Sequence, residues 1–559
     1  MLVIEPTNGQ RLTHWSHINW TQTEANVRRI QGRIFRATAA GDFKKVKNLQ
    51  KLMVHSMSAK LKAIRQVTQE NRGKNTPGVD GVVCDTPEKR LEMALEGLNF
   101  KGYRPEPVRR VYIPKSNGEK RPLGIPTVRD RCLQALVKLA LEPEWEQRFE
   151  ANSYGFRPGR STMDAITAIH THLNQRKCSE WILDADITGC FNNIAHKPLL
   201  QKLPVFTTII RRWLKAGCVE LGQFTETEEG TPQGGVISPL LSNIALDGME
   251  RLFGCENSQG NLVPPRKRKG LNHKVSLVRY ADDFVVSAPS REVIESYIIP
   301  TIKDFLGSRG LEINEVKTKA VHVTEGLNFL GFTIRRFKKK LIVYPQKEKV
   351  LGHIDAIRSY LKTHMQAPAG QVIRDLNPKI RGWTNYYRFA TAKSTFSKVQ
   401  YHTYWMLWAW AKRRHPKKSA KWIVKRYYRQ VEERNAVFSA GNAQLLWHGA
   451  TQVTRYTKVT GKSSPMDPES GAYWSKRERW RTARMTFQNQ RRVLLKKQEG
   501  QCGLCKQTLY ADDLMDTHHI NPRHVGGEHS TENRILVHRW CHHGYHQRHG
   551  YKVAEARAV

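Results

Sequence analysis

Apolar positions recur at helical spacing through the first part of the chain. Val27, Ile30, Ile34 and Phe35, then Val46, Leu49 and Leu52, alternate with basic residues and predict two basic amphipathic helices over 22–70. Thr76-Pro-Gly-Val-Asp-Gly81 is a turn cluster that interrupts the pattern. Val108–Ile113 is β-rich and runs into Pro114-Lys-Ser-Asn-Gly-Glu-Lys-Arg121, a hairpin tip with three cations. Residues 129–150 predict an amphipathic helix on Cys132, Leu133, Leu136, Val137, Ala140 and Leu141. Trp181–Ile187 alternates apolar and acidic residues as a strand does, and residues 275–288 read as strand, tight acidic turn, strand. Between them lie helix-like stretches and a Gly-rich loop, Glu229–Gly235; a basic patch, Arg266-Lys-Arg-Lys269, reads as a surface insertion. From 346 to 430 the pattern is helical, basic and rich in Trp and Tyr. Residues 440–490 are polar, with Gly, Ser and Pro, and predict a linker ahead of a C-terminal Cys/His module.

Length and composition narrow this picture. A chain of 559 residues holds several domains at ~100–200 residues each. With 39% hydrophobic and 25% charged residues it is not a disordered chain. No apolar run approaches the ~20 residues of a membrane span, and MLVIEPTNGQRLTHWSHINW carries no secretory pattern. The expectation is no membrane contact and a cytoplasmic location, nucleoid-associated when DNA is bound. The 92 Lys and Arg against 50 Asp and Glu leave a net charge of +42, which points to a polyanionic partner. A charge-neutralising packing protein fits that number, and so does an enzyme of nucleic acid; 14 Trp and 18 Tyr favour the enzyme. Cys84, Cys132, Cys178, Cys190, Cys218 and Cys255 are scattered, as small core residues are. Cys502, Cys505 and Cys541 cluster among histidines and read as metal ligands rather than disulfides.

Three carboxylates stand out. Asp186 ends one predicted strand, and Asp282 and Asp283 occupy the turn of a predicted hairpin. Carboxylates closing on one point repel each other unless a cation joins them. Two Mg²⁺ ions suit oxygen ligands and could activate a 3′-hydroxyl while stabilising a leaving pyrophosphate. A solvated Asp-Asp turn is the plain alternative. Asp186-Ile-Thr-Gly-Cys-Phe191 adds an aromatic, Thr231-Pro-Gln-Gly-Gly235 a loop whose backbone can approach a nucleotide, and Lys115 and Arg121 cations for a triphosphate.

Here the chain resembles the reverse transcriptase family, and specifically the proteins encoded by group II introns. The matching segments, in the family's order, are Arg109–Pro126, Asn152–Arg160, Asp184–Ile194, Gly230–Pro239, Tyr280–Phe284, Leu311–Lys319 and Phe329-Leu-Gly-Phe332. The resemblance implies a right-hand fold with fingers and palm, RNA-directed DNA synthesis from dNTPs, and Asp186, Asp282 and Asp283 as Mg²⁺ ligands. It implies Phe191 as a steric gate against the ribose 2′-hydroxyl, Lys115 and Arg121 as triphosphate contacts, and Gln233 beside the nucleotide. Lys317 matches a basic position of the family, although Asn314-Glu-Val-Lys-Thr318 lacks the family's proline.

Two further segments extend the resemblance. Lys379-Ile-Arg-Gly-Trp-Thr-Asn-Tyr-Tyr-Arg388 and the aromatic run Tyr401–Trp410 interleave rings and cations. That suits RNA, with cations on phosphate and rings on bases, and equally suits a helical bundle with an aromatic core. The Gly-Trp-x-Asn-Tyr run around Trp383 resembles the thumb, or X, domain of group II intron proteins, which implies maturase binding of the intron RNA. At the C-terminus, Cys502, Cys505, His538 and Cys541 have the C-x-x-C and H-x-x-C spacing of one tetrahedral Zn²⁺. His518, His519, His542 and His546 are surplus to that site, with His543 and His549 close by. The surplus resembles the HNH endonucleases, which implies a ββα-metal fold. By that likeness His518, His542 and His546 hold Mg²⁺ or Mn²⁺, His519 is the general base, and Asn533 orients the hairpin.

The reading is a multidomain α+β protein: a right-hand polymerase fold, with fingers and palm on antiparallel sheet and a helical thumb, plus a small ββα-metal HNH domain. Its expected parts are an N-terminal extension with the start of the fingers (1–110), fingers and palm (111–345), thumb or X domain (346–435), a DNA-binding or linker region (436–490) and an HNH domain (491–559). The expected function is a multifunctional group II intron protein, at once reverse transcriptase, maturase and DNA endonuclease, that moves the intron by target-primed reverse transcription. Its expected partners are intron RNA and double-stranded target DNA. The alternatives are a reverse transcriptase domesticated away from an intron, or an RNA-binding splicing cofactor without enzyme activity.

Overall fold

The helical periodicity of the N-terminal stretch folds into three helices, not two: Trp20–Ala39, Phe43–His55 and Met57–Arg65. The computed structural model describes residues 13–114, 118–174, 179–257, 263–264, 267–268, 270–431, 434–484, 489–509 and 513–550. Asp42 caps the second helix by accepting from the Lys45 amide at 3.0 Å, and Ser56, with extended backbone, ends it. Val27, Ile30, Ile34, Val46 and Leu49 are buried, whereas Leu52 is 48% exposed.

These helices lie against Val128–Arg148, which is not amphipathic as its apolar spacing suggests. Nearly every residue of it is buried, Asp130, Glu142, Glu144 and Glu146 included. The helix is surrounded, so its acids find buried partners instead of water. Gln50 donates to Glu144 at 2.7 Å, and Arg157 pairs with Glu146 at 2.8 Å with both side chains almost wholly enclosed.

The hairpin expected around residues 108–121 forms from Val108–Pro114 and Lys120–Ile125, with Ile113 opposite Arg121. Cys218–Glu220 and Gln223–Thr225 extend its sheet. Lys115 lies outside the described residues, as do Cys178 and, within the basic patch, Arg266 and Lys269. The central sheet is wholly antiparallel, in the order Ser276–Tyr280, Asp283–Ala288, Trp181–Ala185, Lys319–His322. Next to it stands a three-stranded sheet of Leu327–Phe329, Phe332–Phe337 and Lys340–Pro345. The five scattered cysteines within the described residues are buried.

Beyond the sheets, Lys347–Thr363, Ala369–Tyr387, Lys393–Arg414 and Ala420–Tyr427 bundle around Ile357, Ile373, Leu376, Leu407 and Trp410. The stretch expected as a linker, 440–490, is instead packed over its described part. Tyr456 and Val459 are buried, and Asp164, at the N-terminus of the helix Thr162–Leu173, receives Tyr456 Oη at 3.0 Å, Val459 N at 2.8 Å and Arg477 at 3.0 Å. Three hydrogen bonds to one carboxylate of that helix hold this segment down. The chain ends in a hairpin of Met515–His519 and Arg534–His538 followed by the helix Arg539–His549. Among the described residues no helix is long and apolar enough to cross a membrane.

Candidate active sites

Register places the first cluster. Ala185 pairs with Phe284, so Asp186, one residue on, comes opposite Asp283 across adjacent strands. Tyr280 pairs with Asp283, and the turn between them holds Ala281, at φ +59°, and Asp282. Burial raises the Asp283 carboxyl to about 6, with Asp282 and Asp186 adding to the shift and Lys317 and Arg121 opposing it. Asp282 is raised too, first by burial and then by Asp186. Lys317 Nζ donates to Asp186 Oδ2 at 2.5 Å, so the lysine reaches the cluster without the family's proline. Asp184, two residues before Asp186 on the same strand face, is raised to about 7 by burial, then by Asp283 and Asp186. The sequence reading passed over it, although strand alternation was signal enough. Crowded carboxyls whose negative charges push each other up are a donor set that fits a divalent cation.

Three loops converge on this cluster. Thr231 N donates to Phe191 O at 2.6 Å, and Gly230 N to Ile194 O at 2.9 Å. Gly230 has φ +81°, and a Cβ there would lie 2.4 Å from Asn192 O. Gly124 N donates to Gln233 O at 2.7 Å, joining the Gly-rich loop to the strand that carries Arg121. Gln233 Oε1 is buried without a hydrogen-bond partner, and Arg121 is exposed. Phe156 meets the Phe191 ring edge-on at 6.2 Å. Behind them, Asn243 is a further residue that sequence reasoning missed: its Nδ2 donates to Gly155 O at 2.8 Å and its Oδ1 accepts from Arg279 at 3.0 Å.

Trp383 is half-buried and packs against the edge of the core. Its ring stacks on His353 at 4.6 Å and meets Phe396 and Tyr387 edge-on or tilted at 5.7 and 4.9 Å. Tyr401 and Trp405, by contrast, are 62% and 50% exposed.

At the C-terminus the ligand atoms of Cys502, Cys505, His538 and Cys541 all lie within 4.8 Å of one another. Cys505 Sγ and Cys541 Sγ stand 3.4 and 3.8 Å from His538 Nδ1. Ligands ~2.0–2.3 Å from a tetrahedral zinc are spaced much like this, so the set fits Zn²⁺. Asp513 lies 3.3 Å from the other nitrogen of His538 and fixes the ring.

His518, His542 and His546 form a second group within 4.8 Å. Burial, then His542 and His546, lower His518 to about 4, so it is a neutral ring with a lone pair at neutral pH. Its buried Nδ1 has no hydrogen-bond partner. Asp516 lies 3.3 Å from His542 Nδ1 and sits on the same strand face as His518. His519 turns to the other face. Arg534 contacts His529 Nε2 at 3.0 Å, and since arginine only donates, a neutral His529 presents Nδ1–H to His519 Nε2 at 2.9 Å. Asn533 accepts from Asn521 N at 2.8 Å and donates to Asn521 O and Glu528 O, closing the loop between the two strands. Asp513, Asp516 and His529 went unread because each acts through a partner distant in sequence.

The chain matches known protein families along most of its length. The model of the N-terminal domain of reverse transcriptase matches residues 15–96, and that of the reverse transcriptase (RNA-dependent DNA polymerase) matches 113–334. The group II intron maturase-specific domain matches 351–428 and the HNH endonuclease 502–548. Protein YkfC of Escherichia coli K12 is 37% identical over 306 residues, 49% of this chain and 80% of its own. The group II intron-encoded protein LtrA of Lactococcus lactis subsp. cremoris is 30% identical over 420 residues, 60% of this chain and 69% of its own. Among solved structures, a telomerase from Candida albicans aligns with 58% of this chain and 59% of its own at 13% identity, with a TM-score of 0.32, and adds nothing to the sequence relatives. With a reverse transcriptase domain, a maturase-specific domain and an HNH endonuclease domain on one polypeptide, the chain belongs to the group II intron-encoded proteins and is by domain content an RNA-directed DNA polymerase and a nuclease.

Proposed function

We propose that this protein binds its intron RNA as a maturase and then, as a ribonucleoprotein, inserts the intron into double-stranded DNA. The C-terminal module nicks one strand, and the palm copies the RNA from the new 3′-hydroxyl. The observation that carries this reading is the convergence of Asp186, Asp282 and Asp283 from paired strands onto one crowded, cation-seeking point.

In this reading the three carboxylates hold Mg²⁺, which when bound lowers the 3′-hydroxyl pKa and neutralises charge on the leaving pyrophosphate. Arg121 and Lys317 set positive charge beside the carboxylates, where the dNTP phosphates lie; Lys115, outside the described residues, is assigned to the same triphosphate by its family motif alone. Phe191, propped by Phe156, fills the space of a 2′-hydroxyl. Gln233 offers its unsatisfied Oε1 toward the nucleotide. In the nuclease, His518, His542 and His546 hold Mg²⁺ or Mn²⁺, and Cys502, Cys505, His538 and Cys541 hold structural Zn²⁺. His519 takes the proton of the attacking water once its lone pair is free of His529. In this reading the protein acts in the cytoplasm and associates with the nucleoid when it is bound to DNA.

Primer extension on an RNA template, assayed beside RNA binding, tests this. Asp282→Ala with Asp283→Ala is expected to abolish Mg²⁺-dependent DNA synthesis and leave RNA affinity nearly unchanged. Synthesis at the wild-type rate in that variant sinks the assignment.

A further inference from the structure

A cavity of about 400 Å³ opens in the helical domain between the helix Lys393–Arg414 and the hairpin that follows Tyr427. Its volume falls in the ~300–1,000 Å³ range of small-ligand sites. Tyr404, Tyr428, Phe438 and Trp447 wall it, and Tyr401 stands at its rim, 62% exposed. Aromatic rings therefore supply flat faces on several sides, and no mechanism described above uses them.

Charge says what fits. The surroundings are strongly cationic: residues 346–431 contain 19 Lys and Arg against 3 Asp and Glu. Lys398, Tyr401, Trp405 and Lys412 are all exposed and share one face of their helix at three- to seven-residue steps. Arg434, also lining the cavity, lies over the Trp447 ring at 4.4 Å. An aromatic lining and flanking cations together match a heteroaromatic ring on a phosphate backbone.

We propose that this cavity captures one unstacked base of single-stranded RNA, with Tyr401 and Trp405 stacking the neighbouring bases and Lys398 and Lys412 meeting the phosphates. The inference rests on RNA binding by the thumb, as proposed above, and adds to it a defined base site. It places the contact on the helix after the one that carries Trp383, whose half-buried ring is engaged by His353, Phe396 and Tyr387.

Photocrosslinking with the full chain tests this. The probe is a short uridine-rich single-stranded RNA carrying one 4-thiouridine, titrated against protein at fixed salt, with adducts mapped by mass spectrometry. Adducts are expected on peptides holding Tyr401, Tyr404 or Trp447, competed by unmodified single strand and not by blunt duplex. Tyr401→Ala should raise the concentration for half-maximal adduct by about tenfold, within the ~1–3 kcal/mol of one stacked base. Tyr401→Phe keeps the stacking face and should restore the adduct that Tyr401→Ala loses, with the melting temperature of both variants near wild type because Tyr401 is 62% exposed. Adducts confined to other parts of the chain overturn the base site and leave RNA binding standing. Full competition by duplex, or an unchanged adduct in both variants, overturns it as well. Absence of any RNA adduct overturns both this inference and the maturase reading beneath it.

Discussion

The palm and the C-terminal module both gather groups that call for a cation, yet they are held in opposite ways. The Asp282–Asp283 turn is flanked by strands whose Leu277, Val278, Phe284, Val285 and Val286 are buried in large cores. Register alone sets its carboxylates, and the sheet stands whether or not a metal is present. Among the described residues the module's buried apolar cluster has seven members, Leu494, Leu495, Cys502, Leu509, Met515, Leu536 and Val537, and Cys502 is itself a proposed zinc ligand. A core that small gives little folding energy, whereas structural zinc contributes ~10–16 kcal/mol in small domains at neutral pH. If zinc fills the cysteine and histidine set as proposed, the fold carries the site in the palm and the site carries the fold in the module.

The largest effect that sharpens this contrast is expected from Cys505→Ser. Zinc content should fall, the module should unfold and DNA nicking should vanish, while primer extension continues. The palm counterpart, Asp282→Ala with Asp283→Ala, should remove activity with no loss of melting temperature, because it relieves carboxyl repulsion. Calorimetry of both variants beside metal analysis reads the comparison directly. If Cys505→Ser keeps zinc and nicking, the division between a structural and a catalytic metal in the module is wrong.

A smaller effect separates chemistry from folding inside the module. His519→Ala should lower plasmid nicking by ~10²–10⁴, the usual worth of a positioned general base, with zinc and reverse transcription intact. Zinc loss in that variant would show that His519 supports the fold instead.

Much of this was legible where the chemistry is local. The Asp282–Asp283 hairpin, the strand before Asp186 and the C-x-x-C of Cys502 and Cys505 are short-range patterns, and the structure forms each of them. What the chain alone did not reveal is set by partners far along it. Polar composition cannot distinguish a linker from the 440–484 strap, because its hydrogen bonds run to Asp164. The helix Val128–Arg148 looked two-faced because apolar spacing says nothing of Arg157 and Gln50 arriving at its acidic side. Trp383 was ambiguous from its motif, and the stacking of its half-buried ring on His353 joins two helices that its local sequence does not name.

Within the palm, a graded pair of substitutions tests how rigidly the fold presents its site. Phe191→Ala should narrow the preference for dNTP over rNTP by about tenfold, in the ~1–3 kcal/mol range of one pocket contact, with little loss of dNTP incorporation. An unchanged ratio in steady-state incorporation means that the gate lies elsewhere.

Asn243 should give the smallest effect, and it reports on the scaffold rather than the gate itself. Its side chain bridges Gly155 O and Arg279, and the same Arg279 nitrogen also donates to Ala281 O at 3.0 Å. Asn243 thus ties the loop that carries Phe156 to the turn that carries Asp282. The two run so close that a Cβ at Gly155 would lie 2.3 Å from Ala281 N. Asn243→Ala leaves a buried carbonyl and a guanidinium short of a partner, at a cost of ~1–3 kcal/mol, and frees Phe156 to move against Phe191. The melting temperature should fall, and discrimination against rNTP should weaken by a few-fold, less than in Phe191→Ala. Asn243→Asp separates the two arms of the bridge, because it keeps an acceptor for Arg279 and loses the donor to Gly155 O. If the gate is held through Gly155, Asp and Ala weaken discrimination alike, while Asp recovers stability through its ion pair with Arg279. If discrimination recovers together with stability, the loop is held through Arg279 and the catalytic turn, and the palm presents its gate and its carboxylates as one rigid unit.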